Sequence, residues 1–541
     1  MADRDRELHH AQSTEQRCFP ADIPGIRAGR IGVGLSTITT LVSQSLGVRR
    51  LVAGISSANA APQRVAAGPS ASYQVSLSPA STHRLACNCP QCQAARAGRS
   101  IGGEQRGTTS VDYTDRIKRS GKVSVDALLA GGGRWWHADG SDGRTPSSGA
   151  RHALTYSFIS DASGLNGTDA NGFQALSSAQ QDKVREALAY ISTVADLSFS
   201  EVGSGGDIRY GANEQATSAG YARYPNEGAQ VFFAKNQSSF DSDWSKGSYE
   251  WEVVLHETGH ALGLKHPGNY NAGGGGTPGP YLPKGEDNRD NTIMSYHNAS
   301  DMKRIVFANN MFSSSAVNPD TYQGDDIQAL QYLYGASTSA QAQTYAWDAD
   351  QRLSQTIWNS NAGSSIDLSN QTLNNVVDLR AGHRSSIAIR DAYADMPFSK
   401  AEYAKLTSGG KKLTSLLGTP GYTGRDNLLI AAGSHINQAT GGSGNDTFIT
   451  NSEGDTVDGG DGNDRVFVSG GNATVTGGAG DDTVYLRKTA RAVWNVDGGL
   501  TTATLTRTDR VTHAVTTLAT VSLSGVEHVK LWNGTSLHAV A

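Results

Sequence analysis

The sequence predicts two folded parts in series. The first is an α+β domain, a mixed twisted sheet with a backing helix and a second, histidine-bearing helix. The second is an all-β domain wound as a parallel β-roll. Three observations carry this reading. Strand-like alternation and helical periodicity follow one another from about residue 120 to Gly335. Beyond Gly335 helical spacing disappears, and Ser, Thr, Asn and Gly dominate short β-like runs. Near the end of that stretch a glycine-rich motif returns every 18 residues, at 441, 459 and 477. The boundaries are a leader over 1–105, the α+β domain over 106–335 and the β-rich domain over 336–541, with core repeats at 441–485.

In the first domain, residues 123–129 form a short amphipathic stretch, and 154–159 alternate like a strand. Ser177 or Ser178 caps a helix whose apolar residues Val184, Leu188, Ile191 and Val194 recur at helical spacing. Strands are expected at 197–202 and 207–210, and a second helix over 249–264 ending at a glycine. A third helix is expected near 325–334.

The chain has 541 residues, enough for about three domains. Its net charge of −5 excludes a general nucleic-acid binder and a polybasic membrane anchor. Cys18, Cys87, Cys89 and Cys92 all precede residue 93, so disulfides do not staple the folded parts, and bound metal is the expected substitute. In the leader, Arg27 and Arg30 precede a Gly-, Ser- and Thr-rich stretch at 31–48, Arg49 and Arg50 follow it, and a second apolar patch leads to an A-x-A-like pattern at 58–60. This reads either as a cleaved secretory signal or as a disordered prosegment, and no stretch of the chain could span a membrane.

The segment HETGHALGLKH at 256–266 carries the chemistry. His256 and His260 are four apart, so a helix puts both imidazoles on one face. Gly263 lets the chain turn and bring His266 back as a third nitrogen ligand. Three neutral imidazoles suit one zinc ion with a position left open for water, whose proton Glu257 can take. Met294, in TIMSY at 292–296, would floor the imidazoles, and Tyr296 would bring a phenol near the metal. In the repeats the glycines allow tight turns, and Asp446, Asp464 and Asp482 recur in phase as calcium carboxylates. The intervening nonapeptides 450–458 and 468–476 are degenerate but keep Val457 and Val475 in phase.

These motifs resemble the serralysin-type secreted bacterial zinc proteases, which are metzincins with RTX repeats. Similar segments are HPGNYNAG at 266–273, EDNRDNTIMSY at 286–296, YARYP at 221–225 and DIQALQYLYG at 326–335, so the resemblance covers most of 120–485. It implies an α+β metzincin catalytic domain followed by the β-roll, with zinc on His256, His260 and His266, and Tyr296 as a fifth ligand that leaves to stabilise the oxyanion. It implies several structural calcium ions, held through Gly442, Gly444, Asp446, Gly459, Gly460, Asp461, Gly462, Asp464, Gly477, Ala479 and Asp482. It further implies a secreted, extracellular, monomeric endopeptidase acting on proteins and peptides, with a proteinaceous inhibitor as an allowed partner. The chain departs from the family in three places. Acidic ligands are sparse at 339–345 and 359–367, the terminus at 537–541 has no acid, and the leader is long.

The alternative function is a calcium-dependent surface or adhesion protein with a vestigial metzincin domain. The intact Glu257 speaks against it, and a pore-forming toxin would need apolar helices that the sequence lacks. One of Cys87, Cys89 or Cys92 is a candidate thiolate to cap the zinc and keep the enzyme latent, against a plain disordered tail.

Overall fold

The computed structural model describes residues 119–130 and 152–532, except 226–228, 273, 300, 339–340 and 490, with the backbone of two short leader strands, Phe19–Pro20 and Gly103–Gln105. The four cysteines, the signal-like stretch at 31–60 and the terminus at 537–541 lie outside the described side chains.

Strands β1 (His152–Phe158), β2 (Leu197–Glu201), β3 (Ile208–Asn213), β4 (Gly220–Arg223) and β5 (Ala229–Ala234) form one mixed sheet in the order β4-β5-β3-β1-β2. Every pairing is parallel except β4 with β5. Leader strand Gly103–Gln105 adds to β4 in parallel and covers that edge. Helix α1 (Ser178–Val194) is capped by Ser177 in a reciprocal box with Gln180. Its buried Val184, Leu188, Ile191 and Val194 share one core with Leu154, Ile208 and Tyr210 of the sheet, as the helical period requires.

Helix α2 (Tyr249–Ala261) is buried along its whole length. It stops at Leu262, before the expected residue 264, because the chain must reverse to deliver His266. Gly263 makes the reversal at φ +98°, a backbone state that a side chain would strain. Fully buried Lys265 holds the turn, its ammonium donating to the carbonyls of Ala127, His266 and Pro280. An antiparallel hairpin follows, β6 (Lys303–Ala308) with β7 (Met311–Ala316), and then α3 (Gly324–Tyr334).

Beyond α3 the chain alternates between two sheets. One contains Ser364–Asp367, Ile436–Thr440, Asp455–Asp458, Ala473–Thr476 and Val515–Ser524, paired in parallel. The other contains Val376–Asp378, Thr447–Ile449, Arg465–Val468, Thr483–Arg487 and His528–Trp532, likewise parallel. Val457 and Val475 from the first meet Phe448, Val466 and Val484 from the second in a shared core. Single helical turns at Lys400–Tyr403 and Leu413–Leu416 interrupt the β texture, and they pack on the β6–β7 hairpin through Tyr403, Leu413, Ile305 and Phe312.

The degenerate nonapeptide 450–458 hides one more acid. Asp455 occupies the register position that Asp446 and Asp464 hold in the glycine-rich turns, is 1% exposed, and has no hydrogen-bond partner on either oxygen. Burial, with Glu453 nearby, pushes its pKa up to about 7. Because the folded value lies above the unfolded value of about 3.8, this carboxyl favours the fold while protonated. Its contribution is complete below pH ~4 and is lost as pH rises towards 7, a change of roughly 2–4 kcal/mol. Chelator-treated Asp455→Asn should therefore lose less thermal stability between pH 5 and 7.5 than chelator-treated wild type. Calorimetry showing the two melting in parallel across that range would remove Asp455 from the account.

Candidate metal centre

Helix α2 brings His256 and His260 to one face, and the Gly263 turn returns His266 to them. All three are fully buried. Each Nδ1 sits against a backbone carbonyl: His256 against Ile293 at 2.9 Å, His260 against Leu264 at 2.8 Å and His266 against Tyr270 at 2.9 Å. A carbonyl only accepts, so each Nδ1 carries the proton and each Nε2 presents a lone pair. The Nε2 of His266 lies 3.2 Å from that of His256 and 3.1 Å from that of His260. With both Nδ1 protons spent on carbonyls these are not hydrogen bonds, and three converging lone pairs repel unless a cation lies between them. Zinc–nitrogen bonds of about 2.0 Å at tetrahedral angles would separate the nitrogens by ~3.3 Å, close to the spacing found. Burial holds all three imidazole pKa values low, which keeps them neutral and available as ligands. Among the described residues this is the one cluster of His, Cys, Asp or Glu able to hold a metal ion by proximity of ligand atoms.

The layer beneath is fixed from outside α2. Met294 is fully buried under the helix, and a Cβ on Gly259 would come within 3.0 Å of its sulfur, so the glycine makes room for it. Asp326 of α3 locks the methionine turn, its carboxylate accepting from Thr292 Oγ1 at 2.5 Å and from the backbone of Ile293 at 2.8 Å. Tyr322, just before α3, and Tyr334, at its end, donate to the carbonyls of Leu255 in α2 and Leu262 at its C-cap at 2.8 and 2.6 Å, tying α3 to α2. A buried ion pair, Arg289 Nε to Glu252 Oε1 at 2.7 Å, joins α2 to the loop before Met294.

Tyr296 is half-buried, its ring 4.5 Å from that of His266 and 6.3 Å from that of His256, centroid to centroid. Tyr270 backs it at 4.8 Å, and its hydroxyl donates to Asp287 at 2.6 Å. Ser295 donates to the same Asp287 oxygen at 2.6 Å. Glu257 is fully buried, with no hydrogen-bond partner on either carboxylate oxygen, and burial pushes its pKa well up. It lies directly under the edge strand, since a Cβ on Gly220 would stand 2.8 Å from Glu257 Cγ and 3.0 Å from its Oε1. Tyr224, just past that strand, meets the His260 ring edge-on at 6.1 Å. The structure thus brings His256, His260 and His266 to one point, packs the Tyr296 ring against His266, and buries Glu257, the next residue after His256, under β4. Gly220, Asp326 and the Glu252–Arg289 pair were not legible in the sequence, because their partners lie far away along the chain.

The repeat turns form a second cluster, far along the chain from the histidines. Asp446 Oδ2 accepts from Gly442 N at 2.9 Å, and Asp446 Oδ1 from Asn375 N at 2.7 Å. Asp464 Oδ1 accepts from Asp446 N, and Asp482 Oδ1 from Asp464 N, each at 2.8 Å. The second oxygens, Asp464 Oδ2 and Asp482 Oδ2, are buried and unpartnered. The carbonyls of Gly442, Gly460 and Ala479 each accept one amide proton from an adjacent turn, which leaves each a second lone pair. A Cβ on Gly444 would overlap the backbone of Leu373, and one on Gly462 that of Gly444, so these turns stack in contact. Asp461, by contrast, is exposed and aligns with Ala479 through a backbone bridge.

Comparison with known proteins agrees with both clusters. Residues 152–313 match the model of metallo-peptidase family M12, and residues 440–475 and 469–487 match the RTX calcium-binding nonapeptide repeat. The chain is 29% identical over 333 residues to metallopeptidase AprA of Pseudomonas marginalis, covering 56% of this chain and 61% of that one. It is 30% identical over 248 residues to serralysin of Proteus mirabilis, covering 38% and 48%. To serralysin of Photorhabdus laumondii it is 25% identical over 355 residues, covering 62% and 65%. The chain therefore spans less than two thirds of the length of these relatives. Zinc and calcium are the metals that the two matched families take, and the three buried imidazoles suit the first. The chain thus carries a segment similar to metallo-peptidase family M12, followed by segments similar to RTX calcium-binding repeats, and it is similar over part of its length to serralysins.

Proposed function

We propose that the chain is a secreted zinc endopeptidase that hydrolyses internal peptide bonds of proteins, stabilised by calcium bound in a C-terminal parallel β-roll. The observation that carries the activity is the convergence of three Nε2 lone pairs on a helix whose Glu257, next in the chain to His256, is buried and unpartnered beneath the edge of a sheet. His256, His260 and His266 would hold the zinc, each imidazole oriented by its carbonyl partner. Zinc, when bound, supplies Lewis acidity that polarises a carbonyl and makes water a better nucleophile at neutral pH.

An extended peptide would pair with the edge of β4 that the leader strand occupies, a strand that passes over Glu257 and leads to Tyr224 beside His260. Glu257 takes a proton from the attacking water and returns it to the leaving amine. The Tyr296 hydroxyl, on a ring packed against His266, donates to the oxyanion. Leader strand Gly103–Gln105 lies on the edge that the substrate would use, so we assign 1–105 as a prosegment whose removal opens the cleft. Among the described residues no helix is long and apolar enough to cross a membrane. The calcium ligands we assign are those named for the repeats, with Asp446, Asp464 and Asp482 as the carboxylates.

The test is casein hydrolysis by the purified chain, before and after removal of 1–105, with and without a zinc chelator. Internal cleavage that the chelator abolishes and added zinc restores is expected. Cleavage indifferent to chelation, or none after leader removal, would overturn the proposal.

Gly220 supplies a finer check. A methyl group there would push the Glu257 carboxylate away from its place under β4. A displacement of that order can cost ~10²-fold in turnover. Gly220→Ala should show that loss in kcat with its circular dichroism spectrum unchanged. Full activity in this variant would mean that Glu257 does not act from this position.

A further inference from the structure

The glycine-rich repeats end at residue 485, yet the stack of turns continues past them. After the third repeat the chain makes an antiparallel excursion through Val493–Val496 and Thr502–Thr508. It then returns along Val515–Ser524 to a short loop at 524–527 and the strand His528–Trp532. That loop has neither the sequence nor the length of a repeat turn. Its backbone nevertheless makes the same contacts.

Three hydrogen bonds define the step from one repeat turn to the next. Gly441 N donates to Asp458 O at 2.7 Å and Gly459 N to Thr476 O at 2.9 Å, and Gly477 N donates to Ser524 O at 2.8 Å. Arg465 N donates to Asp446 O at 3.0 Å and Thr483 N to Asp464 O at 2.9 Å, and His528 N donates to Asp482 O at 3.0 Å. The third bond is the carboxylate step. Asp446 N donates to Asp464 Oδ1 and Asp464 N to Asp482 Oδ1, and Asp482 N donates to Glu527 Oε2, all at 2.8 Å. The glycine faces agree as well. A Cβ on Gly441, Gly459 or Gly477 would collide with the carbonyl oxygen of Gly459, Gly477 or Gly525, respectively. Gly525 therefore stands where a repeat has its first glycine, and Glu527 where a repeat has its aspartate. The loop is three residues shorter between those two positions, and the extra methylene of glutamate lengthens the reach of its carboxylate.

An acidic stack alone would not make a site. Here Asp482 is 2% exposed and its Oδ2 is buried without a partner, in the turn that Glu527 caps. Glu527 is itself exposed, but its carboxylate accepts from Asp482 N beside this desolvated oxygen, and an all-oxygen set of carboxylates and turn carbonyls suits calcium. We propose that Glu527 closes the calcium stack: it supplies a carboxylate to a further calcium ion held between the 477–482 turn and the 524–527 loop. This rests on the reading of the repeat turns as calcium sites.

The test counts calcium bound per chain by equilibrium dialysis on full-length wild type, Glu527→Gln and Asp464→Asn. Glutamine can still accept from Asp482 N through its amide oxygen, so Glu527→Gln should keep the wild-type circular dichroism spectrum at saturating calcium. Glu527→Gln is expected to bind one ion fewer than wild type and Asp464→Asn also to lose calcium. A wild-type count in Glu527→Gln alongside a loss in Asp464→Asn would overturn the role of Glu527 and leave the repeat sites standing. Wild-type counts in both variants would overturn the repeat reading itself.

Discussion

Glu257→Gln should keep its zinc and its fold while losing casein hydrolysis by about 10²–10⁴-fold, the range that a positioned general base contributes. The substitution is isosteric, so the contact under Gly220 is preserved and only proton transfer is removed. In the wild type this carboxyl is buried with no hydrogen-bond partner on either oxygen, an arrangement that costs stability and is kept for some other reason. The variant should therefore melt no lower than wild type. Loss of turnover with kcat falling and KM little changed, at one zinc per chain, is the expected pattern. Near-normal turnover would leave the protein without its proposed base. Loss of zinc along with activity would make Glu257 a structural support for the site.

Tyr296→Phe should lower kcat by ~10²–10³-fold, the usual cost of one oxyanion donor, with zinc still bound through the three imidazoles. The ring packing against His266 and Tyr270 needs no hydroxyl, so phenylalanine should preserve it. An unchanged kcat would reduce Tyr296 to a wall of the site. The converse substitution, Tyr270→Phe, removes the hydroxyl bonded to Asp287 and should act on stability first, because that hydroxyl serves the loop around Ser295.

What the sequence disclosed depended on how locally each feature is encoded. The three-histidine cluster was legible because helical period and one turn glycine place His256, His260 and His266 within eleven residues of chain. Ser177 as a helix cap and the buried face of α1 were legible for the same reason. Gly220 was not, since only sheet closure carries it over Glu257. Asp326 was visible only as part of a helix, and its grip on Thr292 and Ile293 belongs to tertiary structure.

In the repeats, phase marked Asp446, Asp464 and Asp482, whereas Asp455 was obscured because Thr450, Asn451 and Glu453 stand where a repeat has its glycines, and Glu527 by a shortened loop. At 359–367 the one acid, Asp367, and the amide of Asn359 serve local turns. Asn359 accepts from Asn361 N at 2.8 Å, and Asp367 from Ser369 N at 2.9 Å.

Titration of zinc into metal-stripped, leader-free protein decides whether hydrolysis depends on zinc at a single three-histidine centre. Casein cleavage should be absent at the start, rise in proportion to added zinc and reach its plateau at one ion per chain. Cleavage that is present in the stripped protein, or that fails to return with zinc, would contradict that dependence.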